Sequence, residues 1–197
     1  MPREPRSSRI SEGDLGHTPD GAAELGLARL AALGDRTAFT RLADAVGPGL
    51  YRYALRMLGD EYEAQDCVQE TLLSAWTGLD SFREESRVRT WLFGIEANLV
   101  RRRLRRQPPA PVDPESAAQI PGPDDPATEA LAADLRAALD LALTGLPPAQ
   151  REAWLLVTVE ALTYREVAEV QATTVSTVRG RVERARRQLE RRLAPWR

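Results

Sequence analysis

The chain has 197 residues, 43% of them hydrophobic and 28% charged, with a formal net charge of −2. That is the composition of an ordinary soluble protein, long enough for one or two small domains. All 27 basic residues are Arg, and the lone cysteine, Cys67, has no partner within the chain. An internal disulfide is thereby excluded, no His/Cys cluster offers a metal site, and no cofactor or metal is expected. No stretch approaches the length of a membrane span, and the N-terminus lacks the apolar core of a signal peptide. No membrane insertion and a cytoplasmic location are expected.

Residues 1–21 are rich in Pro, Ser, Gly and charge, include the only histidine, His17, and read as a disordered tail. A helical domain is expected over 22–106. Within it, Glu61 to Leu79 reads as a helix with Ala64, Val68, Leu72, Ala75 and Trp76 on one face, and Asp66, Gln69, Glu70 and Ser74 on others. Cys67 reads as a small buried residue. The stretch from Asp80 to Arg87 is too polar for a core element. Val88 then opens another helix, with Trp91, Leu92, Ile95 and Leu99 as its expected buried stripe. It ends in Arg101, Arg102, Arg103, Arg105 and Arg106, more positive charge than a helix terminus needs for its dipole.

Residues 107–127 hold seven of the fourteen prolines, four acids (Asp113, Glu115, Asp124, Asp125) and no Arg. This is an extended, negatively charged linker by composition. A second helical domain is expected over 128–197, and no strand-like alternation occurs anywhere, so the fold class is all-α.

The last forty residues hold the strongest local signals. Thr163 and Glu166 fit a capping box, and the pair Thr173 and Thr174 offers a second N-cap. The helix that follows carries Val175, Val178, Val182, Ala185 and Leu189 on one stripe, with Ser176, Thr177, Gly180, Glu183, Arg184 and Arg187 opposite. Two short helices joined by a tight turn make a helix-turn-helix. A polar face of small hydroxyls, Arg and Glu suits a major groove. From Arg179 to Arg197 eight Arg stand against Glu183 and Glu190, a local balance of +6 in a chain of −2. Such concentration is an electrostatic footprint for phosphates.

Two sets of residues resemble a known family. Asp66-Cys67-Val68-Gln69-Glu70-Thr71-Leu72-Leu73-Ser74-Ala75-Trp76, then Phe82-Arg83, Ser86, Thr90-Trp91-Leu92-Phe93, Ile95 and Asn98, resemble region two of the extracytoplasmic-function (ECF) sigma factors, within the sigma-70 family. Leu146-Pro147-Pro148-Ala149-Gln150-Arg151-Glu152-Ala153-Trp154 and the helix-turn-helix after it resemble region four. The resemblance covers about 37–106 and 128–194, in the family's order.

What it implies is specific. Asp66, Gln69 and Glu70 would dock on the clamp helices of the largest subunit of core RNA polymerase, with the polymerase flap a further contact. The loop from Phe82 to Arg87, with Asn98, would capture a base flipped from the non-template strand of the −10 element; an aromatic ring, Arg planes and an amide suit an unpaired base. Arg101, Arg102, Arg103, Arg105 and Arg106 would follow the backbone there. Ser176, Thr177, Arg179, Gly180, Arg181, Glu183, Arg184 and Arg187 would serve the −35 element, with Arg184 at base edges and Arg181 and Arg187 at phosphates. Glu183 has two readings: it accepts from a cytosine amine, or it pairs with Arg179 or Arg187 on its own helix. An anti-sigma protein is the expected controlling partner. Separately, the linker's acidity mimics nucleic acid by charge, and on that ground it is expected to run through the RNA exit path.

The chain departs from the pattern at Gln171-Ala172, where the family usually has Leu-Gly, at Thr173-Thr174 in place of an apolar-Pro pair, and at Glu96, an acid in a helix that tends there to be neutral or basic. These changes bear on turn geometry and promoter choice. Two other classes lack their own signatures here. A helix-turn-helix regulator would share the C-terminal half but needs a ligand pocket or phosphorylation signature, and an enzyme would need a catalytic cluster; the sequence carries neither.

Overall fold

The computed structural model describes residues 21–106 and 126–194. Apart from Gly21, Pro126 and Ala127, the expected tail and acidic linker lie outside those residues. Among the described residues eight α-helices run α1 (Gly21–Ala32), α2 (Arg36–Leu58), α3 (Glu61–Gly78), α4 (Val88–Arg106), α5 (Pro126–Thr144), α6 (Pro148–Trp154), α7 (Tyr164–Val170) and α8 (Val175–Arg192). A 3-10 turn follows α3 at Leu79–Ser81, and a π turn extends α6 over Leu155–Val159. No strand occurs among the described residues, as the all-α expectation requires.

Local chemistry sets the helix ends. Asp35 caps α2 by accepting from the N–H groups of Thr37 (2.9 Å) and Ala38 (3.1 Å), and Asp60 caps α3 through Glu63 N–H at 2.9 Å. Gly59 stops α2 at φ +74°, a conformation that glycine adopts without steric cost. Leu42, Val46, Leu50, Tyr53 and Met57 of α2 are buried with Ala64, Cys67 and Ala75 of α3 and Leu92 and Phe93 of α4. Tyr53 meets Phe93 edge to face, with ring centroids 5.8 Å apart.

The stripe expected on α4 is rotated. The buried set is Val88, Thr90, Leu92, Phe93, Glu96, Ala97 and Val100; Trp91, Ile95 and Leu99 pack partly buried beside it. The helix packs against α1, α2, α3 and α7, so its buried arc is wide. A periodicity reading passes over Glu96 because it counts only apolar residues.

In the second bundle Leu143, Leu146, Ala153, Leu155, Leu156, Leu162 and Val167 are buried against Val178, Val182, Ala185 and Leu189 of α8. Both expected caps are present. Thr163 Oγ1 accepts from Glu166 N–H (3.2 Å) while Thr163 N–H donates to Glu166 Oε2 (2.7 Å). Thr174 Oγ1 accepts from Thr177 N–H at 3.2 Å. Between the helices, Thr173 N–H donates to Ala168 O and Ala172 N–H to Glu169 O. This is the Schellman arrangement, whose penultimate position needs a left-handed residue. Ala172 takes it at φ +47°. Ala172→Gly is therefore expected to raise the midpoint of thermal unfolding, with a gain of about 0.5–1 kcal/mol after the added freedom of the unfolded chain is subtracted; an unchanged or lower midpoint would show that this turn is not strained.

Candidate nucleic-acid interface

On α8 the side opposite the core is open: Ser176, Arg179, Glu183, Arg184 and Arg187 are exposed, and Thr177, Gly180 and Arg181 half-buried. Glu183 pairs with Arg187 on its own helix, at 3.2 Å. Arg179 lies over the Tyr164 ring, 5.8 Å from its centroid. Arg181 donates to Gln171 Oε1 at 2.6 Å, and Gln171 Nε2 donates to Ala149 O at 3.1 Å. Gln171, one of the departures from the family pattern, thus ties the turn to α8 and α6. The Arg184 guanidinium folds across Gly180, where an added Cβ would stand 3.2 Å from Arg184 Nη1.

A second surface runs along α3. Tyr62, Asp66, Gln69 and Leu73 recur at helical spacing and form one exposed row, with Tyr62 81% and Leu73 65% exposed. The family motif marks only the two polar members; the same helical spacing, applied to apolar residues, adds Tyr62 and Leu73. Glu70 sits beside the row and is held by Arg102 (3.3 Å) and Arg103 (2.8 Å).

The loop from Phe82 to Arg87 is anchored at several points. Phe82 is half-buried against Trp91, with centroids 5.1 Å apart. Glu84, at φ +58°, accepts two hydrogen bonds from Arg29, 2.8 and 2.6 Å long. Arg83 is exposed and Ser86 half-buried. Arg87 Nη1 lies 3.8 Å from Glu166 Oε1.

The five arginines ending α4 do not form one exposed strip. Arg105 and Arg106 are exposed, and Arg102 is exposed beside Glu70. Arg103, only 13% exposed, turns inward to Glu63 (2.9 Å) and Glu70. Arg101 crosses to the second bundle, donating to Glu152 Oε1 and Val170 O at 3.1 Å each, and also to Asn98 Oδ1 at 2.8 Å. Arg103 is the clear difference from the expected strip: two carboxylates of α3 outcompete solvent for it.

Beneath α3 lies the Glu96 carboxyl, fully buried beside the Thr71 hydroxyl and the Cys67 thiol. Burial pushes it up to about 7, while nearby Thr71, Cys67 and the Arg103 charge hold it back. Burial, with the Glu96 charge adding to it, pushes the Cys67 thiol up to about 12. Cys67 is thus a protonated core residue at neutral pH, as its sequence context suggested.

The two bundles meet where α7 packs on α4, and α5 and α6 on α2. Glu160, its side chain 1% exposed, accepts from Arg52 Nη2 at 3.1 Å and lies 3.5 Å from Arg89 Nη2. Thr90 Oγ1 donates to Glu166 Oε1 at 2.9 Å, the oxygen left over from the capping box. Buried Arg151 donates to the carbonyls of Met57 (3.1 Å), Arg56 (3.3 Å) and Thr144 (3.3 Å). Burial pushes Glu152 up despite the Arg101 charge beside it. No group of metal-ligating side chains occurs among the described residues, and no described helix is long and apolar enough to cross a membrane.

Comparison with known proteins matches both halves. Residues 42–108 match the sigma-70 region 2 family and residues 136–189 the sigma-70 region 4 family. The chain is 36% identical over 147 residues to the ECF RNA polymerase sigma factor EcfG of Rhodopseudomonas palustris, covering 74% of this chain and 79% of that one. It is 31% identical over 172 residues to the RNA polymerase sigma-H factor of Pseudomonas aeruginosa, covering 82% and 89%. Among solved structures it is similar to CnrH in complex with the cytosolic domain of CnrY, at a TM-score of 0.68 and 28% identity, over 88% of this chain and 98% of that one. It is also similar to RpoE in complex with the anti-sigma factor NepR from Bartonella quintana, at 0.64 and 28%, over 79% and 96%. An exposed helix-turn-helix and two matched regions in the family's order, with relatives of 36% and 31% identity over most of both chains, lead to one conclusion: the chain belongs to the extracytoplasmic-function sigma factors of the sigma-70 family.

Proposed function

We propose that this sigma factor divides its work among three surfaces as it directs core RNA polymerase to promoters and promotes melting at the −10 element. The row Tyr62, Asp66, Gln69 and Leu73, with Glu70 at its side, docks on the polymerase clamp helices. The loop Phe82 to Arg87, with Asn98 and the outer arginines of α4, takes the −10 strand. The open face of α8 reads the −35 duplex. The observation that carries this reading is a polar recognition face and a separate polar docking row, both exposed, on one chain. The factor itself carries out no covalent chemistry: binding energy drives strand opening. Solved relatives are held by partner proteins, and an anti-sigma protein covering the docking row fits this chain as well.

Run-off transcription with purified core enzyme across genomic promoter fragments tests the reading; no defined start site on any fragment would end it. Within that assay, Arg184→Ala is expected to cost about 1–3 kcal/mol of promoter affinity and to relax preference at one −35 position, whereas Arg187→Ala should weaken all promoters alike. If the two variants show the same promoter ranking as the parent, Arg184 is not a base reader.

A further inference from the structure

Gln171 stands at the end of α7, where its backbone N–H donates to Val167 O at 2.9 Å, so the helix fixes where its side chain begins. The amide is used at both ends. Its Nε2 donates to Ala149 O of α6 at 3.1 Å, and its Oε1 accepts from Arg181 Nη1 at 2.6 Å. With the nitrogen committed to a carbonyl, the oxygen is left for a donor, and an ionised donor makes the stronger kind of hydrogen bond. Leucine, usual here in the family pattern, offers no acceptor.

Arg181 reaches this amide because of its place on α8. It lies about 140° round the helix from exposed Ser176, and its neighbours three back and four on are the buried Val178 and Ala185. Arg181 is half-buried, whereas Arg179, Arg184 and Arg187 are exposed. Its charge also acts on the buried carboxyl of Glu152 on α6: burial pushes that group up, and the Arg101 charge, Gln171 and the Arg181 charge each hold it back. A carbonyl oxygen and a carboxyl thus draw one guanidinium toward the turn and away from the open face.

We propose that Gln171 is a positioning residue for −35 recognition: it withdraws the Arg181 guanidinium from the phosphate backbone and ties it to the turn, leaving Arg179, Arg184 and Arg187 to meet the duplex. The phosphate role that the family resemblance gives Arg181 lapses in this chain. A phosphate contact adds affinity without sequence preference. Its loss therefore makes −35 binding weaker and less sensitive to salt, and leaves the ranking of promoters as it was. This rests on the sigma-factor reading above and deepens it.

The test uses holoenzyme assembled from core enzyme and the full-length factor. The probe is a fluorescent duplex of whichever genomic fragment gives a start site in run-off transcription, titrated by anisotropy between about 50 and about 200 mM salt. Log affinity falls against log salt with a slope of about 0.9 for each phosphate neutralised. Gln171→Leu frees Arg181, so its slope is expected to be steeper than the parent's by about 0.9, an extra loss of about three- to fourfold across that range. Arg181→Gln keeps a donor for Gln171 and removes the charge; alone it is expected to leave the slope at the parent's value. Added to Gln171→Leu, it restores that value. A merely structural role would shift affinity and the unfolding midpoint without touching the slope. Should Gln171→Leu not fold, Gln171→Met replaces it, keeping the length of the side chain without its acceptor. A slope unchanged in the Gln171 variant overturns the proposal, as does one that Arg181→Gln flattens by about 0.9 in the parent. No start site on any fragment would end the sigma-factor reading and this proposal with it; a chain that starts transcripts but misses these slopes loses only the proposal.

Discussion

Asp66→Arg is expected to weaken binding to core RNA polymerase strongly while leaving the fold intact. Asp66 is exposed at the centre of the row formed by Tyr62, Gln69 and Leu73, and lies outside the core set. Reversing its charge places a cation against a partner surface that the docking reading takes to be basic. Like charges brought together at an interface cost several kcal/mol, so the loss should be about 2–4 kcal/mol, or roughly 30- to 1000-fold in affinity. A titration of labelled factor with core enzyme reads it directly, with Asp80→Arg as an exposed reversal elsewhere. Equal affinities for the two variants would remove α3 from the docking surface. Unfolding curves of both should superimpose on the parent, because surface substitutions of this kind usually change stability little.

Glu96 gives the second large effect, on stability and its pH dependence. In the folded chain the carboxyl stays protonated up to about 7, against an ordinary value of 4.5. Between those values the native state holds a proton that the unfolded chain releases, so stability falls as pH rises through that window and the loss is complete above it. The difference corresponds to about 3 kcal/mol. Tyr53 from α2, Cys67 and Thr71 from α3 and Arg103 from α4 surround the group; of these only Arg103 carries a charge across that range, so it offsets part of the cost without adding a titration of its own. Glu96→Gln keeps the shape and cannot ionise. Its urea midpoint is expected to exceed the parent's by a wide margin at pH 8 and by little at pH 5. A gap of the same size at both values would mean that Glu96 does not ionise inside the fold.

Several features were legible in the chain because the physics that sets them is local. The box between Thr163 and Glu166 and the cap at Thr174 need residues three apart, and both are present. The stripe Val178, Val182, Ala185 and Leu189 is buried because 3.6-residue periodicity places those side chains together whatever lies opposite. Even the missing glycine was informative, since it marked the position where Ala172 takes positive φ. Other features escaped. The α4 stripe is turned by its neighbours, and Glu96 stands out in the sequence as a departure that carries no sign of its burial. Arg103 was grouped with four others by adjacency in sequence, though it faces two acids on α3.

The sequence by itself determined the all-helical class, the helix-turn-helix with its caps, the polar exposed face of its second helix and the family, since each is written in residues a few positions apart or in two ordered motifs. Only the tertiary structure decided which charges are available. Glu160 finds Arg52 across 108 positions, Glu166 finds Thr90 across 76, and Glu152 finds Arg101 across 51. Guanidinium and carboxylate pair wherever the packing of apolar faces brings them, and no spacing along a chain encodes that meeting. Glu166 shows the boundary within one side chain: Oε2 closes a cap readable from Thr163, while Oε1 takes a hydroxyl from the other bundle that only the folded chain delivers.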